Sequence, residues 1–519
     1  MNKSIQMVLE YHQTTKHSQQ RYARSLGYMD WATQPNPFRN YEGSPKIKLP
    51  LSRDNATPPY SLLDEDLPSA PLLKESLSQL LEYSMGLAAW KVSGDSSWAV
   101  RCNASSGNLH PTESFVILPP VLQEQNGKST VFHYSPKEHE LELLAEFDTS
   151  FWQTLQKGSF IVGLSSIVWR EVWKYGERAF RYTQLDAGHA WQSFVISAKM
   201  LGWNVTRLDG VTHDDMSLLM GLNQKNRFSE SEVADMLFVV SPHDVDPSIS
   251  LDTLVSDIPL VYNGVANKLS PSMQEWEIIP AIEEATSTNE TPKKRVPKSK
   301  VSRKATNESK EVVLNRRSIH VMRKENSEIT KEQFHVMLRS VAESQDAKEN
   351  SAHLVLFVNR VEEQEPGLYI FIRNERDKEP LMKQTNPSFE WKETELENLY
   401  LLHSQNLQAF SKSISCNQDI ASDGAFSLGM LCNYSEQLQT HGAHRYKELY
   451  WECGAIGQQL YLEATSLGLS GTGIGCFLDD ATHDALGLKD NRFQTLYHFT
   501  VGRGHVDSRI QTRPAYDRS

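Results

Sequence analysis

The sequence has few cysteines, and their positions exclude two common stabilising devices. Five cysteines occur among 519 residues, at Cys102, Cys416, Cys432, Cys453 and Cys476. They are odd in number and widely spaced, and no two form a Cys-x-x-Cys motif. We therefore predict neither a disulfide framework nor a structural zinc or other metal site. This pattern is typical of a reducing compartment, so we expect a cytoplasmic protein.

Long apolar runs and an excess of positive charge are also missing. No run approaches the roughly 20 apolar residues that cross a bilayer, and the first ten residues lack the apolar core of a signal peptide. The net charge of −12 argues against a general nucleic-acid binder. We therefore expect no membrane and no nucleic acid as partners. The hydrophobic content of 39% is that of a globular protein, and the length allows two domains.

One stretch differs sharply from the rest in composition. Between Thr291 and Lys304 there are seven Lys or Arg, two Pro and no acid. This composition predicts a flexible, solvated linker over 283–311, which separates a unit at 1–282 from one at 312–519. A tail that docks nucleic acid or a partner protein is the alternative, but no aromatic residues are interleaved for stacking.

Apolar periodicity predicts the main elements of both halves. In the first half we expect a core helix from Leu73 to about Trp90, and a strand or helix at 160–164. A long helix ending near Leu201 and a buried strand at 236–240 follow. The second half has matching signals: a helix at about 330–342, strands at 353–358, 367–371 and 495–501, and a long helix at about 444–467.

The two long helices reveal an internal repeat. Segment 187–202 aligns with 453–468, so that Gly188 falls on Gly454 and one further glycine, one glutamine and one alanine also coincide. Two short motifs, Thr-His-Asp and Asn-Arg-Phe, follow in the same order in each half. We infer two copies of one α+β unit that pair about a pseudo-two-fold axis. Gly454 and Gly457 would allow close helix approach at that interface, or they relieve crowding within one core.

A stretch of small polar residues precedes the strand-like run 114–118. It contains Ser105, Ser106, Gly107 and Asn108, residue types that offer hydrogen bonds without bulk and suit a loop close to a ligand. An ordinary surface turn is the alternative.

A second glycine-rich stretch, 468–475, follows a long helix. A dinucleotide-binding loop has the reverse order, strand before loop before helix, so a Rossmann site is disfavoured. Its consecutive backbone N–H groups could still cradle a phosphate or a flavin edge.

Taken together in their order, these motifs resemble the FMN-dependent nitroreductase-like superfamily. Arg316-Arg317-Ser318 resembles the phosphate and ribityl clamp of that family, and 105–111 resembles its loop against the flavin ring. Lys174-Tyr175 is similar to the catalytic segment of the azoline (thiazole or oxazole) dehydrogenases. The resemblance is therefore to a tandem, fused-dimer member of that branch. It implies an α+β fold with two antiparallel-rich mixed sheets flanked by helices, arranged as an intramolecular pseudo-dimer.

The resemblance also implies a set of functional residues. Lys174 and Tyr175 would be catalytic. The residues implied to bind FMN are Arg101, Ser105, Ser106, Gly107, Asn108, Arg316, Arg317, Ser318, His320, Gly471, Thr472, Gly473, Ile474, Gly475 and Arg509. His320 stands where the family usually has a basic residue, so it could stabilise a reduced flavin only when protonated.

The halves contribute complementary motifs, which implies one intact FMN site across the pseudo-dimer interface and one degenerate site. In the dehydrogenase interpretation, Lys174 or Tyr175 removes a ring proton from a small or peptide-borne thiazoline or oxazoline while hydride goes to flavin N5. The alternatives are an NAD(P)H-dependent nitro or quinone reductase, and a non-catalytic flavin- or peptide-binding scaffold. The chain would act as a monomeric pseudo-dimer or as a homodimer of it.

Overall fold

The computed structural model describes residues 2–287, 303–342 and 350–516. Most of the predicted linker lies outside these residues. So does most of the segment between Ser340 and His353, whose sequence contains no counterpart of the Ser-Ser-Gly-Asn motif of the first half. One helix extends into the predicted linker to Thr286, and another begins within it at Ser309, whereas residues 303–308 are not helical. The boundaries predicted at 282 and 312 therefore fall within helices.

The first half contains seven helices and eleven strands among the described residues. The helices are α1 (Lys3–Thr14), α2 (Lys74–Ser84), α3 (Trp169–Tyr175), α4 (Ala179–Lys199), α5 (His213–Leu219), α6 (Asp252–Asp257) and α7 (Ile278–Thr286). The strands are β1 (Tyr41–Glu42), β2 (Lys46–Lys48), β3 (Leu87–Ser93), β4 (Ser96–Arg101), β5 (Thr112–Leu118), β6 (Ser129–Ser135), β7 (Glu140–Phe147), β8 (Phe160–Ser166), β9 (Asn204–Arg207), β10 (Val233–Ser241) and β11 (Val265–Ala266).

The second half follows the same plan. Its helices in the described ranges are α8 (Ser309–Asn315), α9 (Lys331–Ser340), α10 (Glu375–Gln384), α11 (Gln408–Ile414), α12 (Asp419–Asp423), α13 (Tyr434–His441), α14 (Arg445–Ser466) and α15 (Asp479–Leu486). The strands are β12 (Ala352–Val358), β13 (Gly367–Phe371), β14 (Lys392–Glu393), β15 (Leu399–Ser404), β16 (Phe426–Asn433), β17 (Ser470–Ile474), β18 (Phe493–Gly502) and β19 (Gln511–Arg513).

Each half builds one seven-stranded sheet, and the two sheets share the topology of six strands. The strand orders are β2-β7-β6-β5-β8-β10-β9 and β14-β15-β13-β12-β16-β18-β17, with antiparallel neighbours. Ser318 adds a parallel bridge to Gly471 at the edge of the second sheet. Six of the seven positions match, with α4 and α14 in equivalent places. The outer edge differs, because β2 precedes the other strands of its sheet in the chain, whereas β14 lies between β13 and β15. This confirms the prediction of an α+β protein made of two tandem units.

The halves meet where α4 and α14 pack against each other through glycines. A Cβ atom on Gly188 would collide with the carbonyl of Trp451, and one on Gly454 with the carbonyl of Leu185. At Gly457 an added Cβ would stand 2.8 Å from the His189 ring. The glycines of the repeat therefore serve close approach between the two halves. The alternative, relief of crowding within one core, is wrong.

The segments near both ends of the chain extend this interface, because each one packs against the opposite half. Strand β19, at the C-terminal end, pairs with β3 of the first half, with Thr512 opposite Lys91. Helix α1, at the N-terminal end, reaches the second half, where the His12 ring contacts Tyr446 and Gln494. Neither crossing was visible in the sequence pattern.

Two predictions of secondary structure are wrong. The helix expected to end near Trp90 ends at Ser84, and residues 87–93 form β3. A Cβ on Gly86 would lie 2.5 Å from the Glu82 carbonyl oxygen, so the chain can fold back this tightly only at a glycine. The predicted glycine loop is instead the edge strand β17, paired with β18.

The cysteine prediction also needs correction. The structure pairs Cys416 with Cys476 in a disulfide across 60 residues, while the other three cysteines are free and buried. The inference of a reducing compartment thereby loses its support. No group of three metal-ligating side chains occurs among the described residues. Within the same ranges, no helix is both long and apolar enough to cross a bilayer.

A buried histidine clamped by two acids makes the stability of the first half depend on pH. The His133 ring contacts Glu113 at 3.1 Å and Glu142 at 2.9 Å. Burial alone would lower the pKa of His133, but these two contacts outweigh it and raise the pKa to about 9. This stabilisation is full below the ordinary histidine pKa of about 6.5 and is lost as the pH rises through 9.

We expect His133→Gln to lower the denaturation midpoint most at pH 6 and much less at pH 9. The difference in unfolding free energy should shrink by about 3 kcal/mol over that range. Urea denaturation of both proteins at the two pH values measures it. An equal effect of the substitution at both pH values would show that His133 is not charged in the folded protein.

Candidate functional site

The serine loop, residues 105–108, is fixed by a carboxylate of α4. Ser105 Oγ donates to Asp186 Oδ2 at 2.6 Å, and the Ser106 amide and hydroxyl donate to Asp186 Oδ1 at 3.0 and 2.9 Å. The Asn108 side-chain amide donates to the Ala99 carbonyl at 2.8 Å. The serine hydroxyls therefore position the loop on α4, a role that the sequence did not indicate.

Lys174 and Tyr175 lie directly against the glycine of this loop. Gly107 has a positive φ of 59°. A Cβ there would be 2.7 Å from the Tyr175 hydroxyl and 3.2 Å from Lys174 Nζ. The Tyr175 ring also lies 4.5 Å from the ring of Tyr182. The structure thus brings together the catalytic pair and the cofactor loop that the resemblance implied, and both members of the pair are half-buried.

The surroundings of Tyr175 keep its hydroxyl protonated. Burial raises the pKa of Tyr175 well above its usual range, and the neighbouring Glu171, Tyr182 and Asp186 raise it further. A tyrosine in this state donates a hydrogen bond at neutral pH and is a poor base. If the pair contains a general base, the geometry favours Lys174 for that role.

Arg316, in the second half, hydrogen-bonds to the backbone of the first half. Its Nε donates to the Cys102 carbonyl at 2.9 Å, and its Nη2 donates to the Arg101 carbonyl at 3.0 Å. The guanidinium lies 5.1 Å from the centre of the Tyr461 ring. Since residues 101 and 102 lead into the serine loop, this contact places the two halves of the predicted site side by side.

Arg316 and Arg317 form a pair of cations that no acid contacts in the part of the chain that the structure describes. Arg317 Nη1 donates only to the carbonyls of Leu314 and Arg316, at 2.7 and 2.6 Å. The buried Arg316 Nη1 has no hydrogen-bond partner in the described part of the chain. Burial lowers the pKa of both residues, that of Arg317 to about 10, so both remain charged at neutral pH. Such a pair suits a phosphate, which accepts several charge-assisted hydrogen bonds.

Tyr461, in α14, joins the arginine segment to the glycine strand. Its hydroxyl contacts Ser318 Oγ at 2.8 Å and accepts from the Gly473 amide at 2.8 Å. Thr472 Oγ1 accepts from the Ile319 amide at 2.9 Å. Ser318 and residues 471–475 therefore form one continuous edge beside Arg316.

The glycines of β17 make room for aromatic rings. Gly471 and Gly473 alternate along β17 and so face the same side, and Gly475 follows directly after the strand. On that side, Cβ atoms added to them would press on side chains from both halves, which belong to Tyr182, Tyr497 and Phe499. Ile474 points to the other face and is buried. The strand therefore has a flat edge, one without side chains, where it approaches Tyr182 of the first half.

Three predicted site residues are not brought into this cluster. Arg509 is exposed and binds its neighbour Asp507, with Nε 2.9 Å from Oδ1. Arg101 is buried, but its guanidinium donates to the Pro37 carbonyl at 2.5 Å, and only its own carbonyl contacts Arg316. His320 is exposed and hydrogen-bonds no described site residue. Their roles in cofactor binding stay predictions, and the geometry does not favour them.

The equivalent place in the other half is filled by an ion pair. In the repeat, Arg207 of β9 stands where β17 has Gly473, and Glu448 stands where α4 has Tyr182. Arg207 Nη2 lies 2.7 Å from Glu448 Oε1, and its guanidinium lies 5.4 Å from the Trp451 ring centre. The flat glycine edge is therefore lost on this side.

Comparison with known families agrees with this architecture. A sequence model of the nitroreductase family matches residues 68–229 and 313–503, once in each half and over more than half of the chain. A protein of Methanocaldococcus jannaschii that is named as a nitroreductase is 33% identical over 63 residues, which are 12% of this chain and 32% of that protein. The chain therefore aligns with about a third of that relative's length.

A solved structure shows the same fold. The crystal structure of an Anabaena variabilis protein that is named as a nitroreductase aligns with 96% of this chain over 99% of its own length. The TM-score is 0.69, and the sequences are 19% identical. A chain of the E. coli microcin synthetase complex McbBCD, with truncated pro-MccB17 bound, covers 47% of this chain and 94% of its own at 20% identity. Its TM-score is 0.28.

Proposed function

Because the chain belongs to the nitroreductase family, we propose that it is an FMN-dependent oxidoreductase with one flavin site built from both halves. The observation that carries the proposal is the placement of Arg316 and Arg317. Among the described residues no acid pairs with either cation, and Arg316 donates to the backbone that leads into the serine loop of the other half. A flavin phosphate would supply the missing negative charge.

The types of residue at this site suit FMN, and so does their positive charge. Arg316, Arg317 and Ser318 would hold the phosphate and ribityl chain. The backbone of 105–108 and the glycine edge 471–475 would face the ring, where a Cβ on Gly107 or Gly475 would intrude on neighbouring tyrosines. When bound, FMN supplies hydride transfer at N5, and the protein supplies orientation and proton handling.

Lys174 and Tyr175 favour the dehydrogenase form of this chemistry. Both reach the loop at Gly107 that would carry the flavin, so a substrate ring stacked there would lie within their reach. Lys174 would remove a proton from a thiazoline or oxazoline, and the protonated Tyr175 would donate a hydrogen bond to the ring heteroatom. The substrate class we propose is therefore a small or peptide-borne azoline.

Reduction by NAD(P)H of a nitro or quinone acceptor is the second candidate. It needs the same flavin site and no proton removal from carbon, so it makes Lys174 dispensable. The third reading, a flavin- or peptide-binding scaffold without catalysis, is supported by the ion pair that fills the equivalent site. A substrate-dependent colour change separates all three.

The decisive experiment is the flavin content of the purified full chain. We expect a yellow protein with one FMN per chain, because only one side keeps the glycine edge. Anaerobic addition of a synthetic thiazoline should bleach the flavin band, whereas bleaching only by NAD(P)H would favour the reductase. Two flavins per chain would refute the single-site proposal, and a colourless chain that does not take up FMN would refute the flavin proposal.

A further inference from the structure

The disulfide between Cys416 and Cys476 lies at the end of the glycine edge. Cys476 directly follows Gly475 in the connection between β17 and α15, and Cys416 lies between α11 and α12. Both cysteines of the disulfide are half-buried, whereas the other three cysteines are buried. A partly exposed disulfide is the kind that exchanges with thiols in solution. Among the five cysteines, this pair is therefore the one that a thiol can reach.

The turn that carries Cys416 has an unfavourable backbone conformation. Cys416 and Asn417 have consecutive positive φ angles, of 53° and 60°. Residues with a Cβ atom rarely adopt this left-handed conformation, and asparagine tolerates it better than most. The bond to Cys476 holds Cys416 in place, so breaking that bond leaves the turn free to relax.

Two hydrogen bonds also join this turn to the connection after β17. The Leu478 amide donates to the Ile414 carbonyl at 2.7 Å, and Gln418 Nε2 donates to the Cys476 carbonyl at 3.1 Å. Neither bond requires the disulfide. Because β17 ends at residue 474 and α15 begins at residue 479, we expect reduction to leave the fold intact and to change only residues 475–478 and the turn.

Gly475 connects the disulfide to the proposed catalytic pair. Its carbonyl accepts a hydrogen bond from the Tyr182 hydroxyl at 3.0 Å. A Cβ on Gly475 would lie 2.5 Å from the Tyr182 ring, so the two residues are in direct contact. The Tyr182 ring in turn lies 4.5 Å from the Tyr175 ring. A movement of the residue before Cys476 would therefore change the position of Tyr182 first and that of Tyr175 second.

We propose that Cys416 and Cys476 form a thiol-exchange site through which low-molecular-weight thiols control the glycine edge. The disulfide form holds Gly475 against Tyr182, and the dithiol form releases it. The consequence for FMN rests on the proposed function, whereas the exchange itself does not.

The exchange takes place in two steps. The thiolate of an external thiol attacks one sulfur and forms a mixed disulfide with it, while the other cysteine leaves as a thiolate and takes up a proton. A second external thiol then attacks the mixed disulfide. The protein gains two electrons and two protons as two thiols, and the external thiols leave as their own disulfide.

The first test counts thiols in the full chain without any cofactor. Protein equilibrated with oxidised glutathione should show three thiols in urea, the number of free cysteines. Native protein treated with dithiothreitol for about an hour, and then freed of the reagent, should show five. Hydrogen exchange of the 475–478 amides should become at least about threefold faster on reduction, while that of β18 does not change. Equal thiol counts, or unchanged exchange at 475–478, overturn the proposal.

The second test measures FMN affinity by fluorescence titration. Reduction should weaken FMN binding to the wild type about 3- to 10-fold, the effect of roughly one hydrogen bond. Cys416→Ser and Cys476→Ser break the same bond independently. Both should match the reduced wild type with or without dithiothreitol, which controls for effects of the reagent on the flavin. Tyr182→Phe should respond to reduction by less than about twofold, because it lacks the hydroxyl that contacts Gly475.

The outcomes separate this proposal from the proposed function. Equal FMN affinity of the oxidised and reduced wild type overturns the thiol-exchange proposal. So does a response to dithiothreitol that persists in Cys416→Ser, or one that is undiminished in Tyr182→Phe. A chain that gains two thiols and exchanges faster at 475–478, but binds no FMN in either form, would refute only the proposed function.

Discussion

Replacing Arg317 by alanine should weaken FMN binding by about 10- to 100-fold, and replacing Arg316 as well should leave the purified protein colourless. Charge-assisted hydrogen bonds to phosphate contribute about 1.5–3 kcal/mol each, which sets this range. Arg317 gives the cleaner single variant, because among the described residues its side chain donates to two carbonyls of its own segment and to no other group. Arg316 also holds the backbone of the other half, so its removal will disturb the loop too.

Arg509→Ala is the matched control for this experiment. It removes an arginine from the same half, but one that is exposed and pairs with Asp507. We expect its FMN affinity to equal that of the wild type in a fluorescence titration. Equal losses in Arg317→Ala and Arg509→Ala would indicate a general charge effect, and an unchanged Arg317→Ala would place the phosphate elsewhere. Lysine at 317 should restore part of the affinity, since it keeps the charge but not the fork of donors.

Replacing Lys174 by alanine should lower turnover of an azoline by about 10²- to 10⁴-fold, the usual contribution of a general base. Tyr175→Phe should have a smaller effect, about tenfold, because the loss is one hydrogen bond to the reacting ring. FMN content should stay at the wild-type level in both variants, since neither side chain lies on the arginine side of the site.

The control is Lys157→Ala, which removes an exposed lysine of the same half. Anaerobic rapid mixing with a synthetic thiazoline measures the rate of flavin bleaching directly, without steps of reoxidation. If the flavin of Lys174→Ala bleached at the wild-type rate, Lys174 would have no part in the mechanism. Unchanged reduction by NAD(P)H in the same variant would show that the flavin itself still works.

The duplication could be predicted from the sequence because the two copies share short motifs and the same helical spacing of apolar residues. Segments 187–202 and 453–468 align directly, and each lies in a helix whose apolar residues recur at helical spacing. The same alignment placed Gly188 on Gly454, and the structure shows why both positions need glycine. The fold class and the division into two tandem units followed from this reasoning. The approach of Arg316 to the backbone before the serine loop agrees with the predicted site.

The features that were missed depend on contacts between distant parts of the chain. Asp186 is a single acid within an apolar helix, and nothing nearby indicates that it binds a loop 80 residues earlier. The pairing of Cys416 with Cys476 likewise arises only once the chain folds. Glycine-rich β17 looked like a loop because glycine weakens a strand, but aromatic rings above it required the small residues.

The ion pair of Arg207 and Glu448 has a consequence for how such a protein can diverge. In a homodimer, every substitution appears twice, so an arginine at the glycine edge would destroy both sites at once. Once two copies are joined in one chain, each position can vary separately. One copy can then acquire Arg207 and Glu448 while the other keeps Gly473 and Tyr182. Fusion thereby releases one of the two equivalent sites from selection for function. The residues of that site can then change to stabilise the fold.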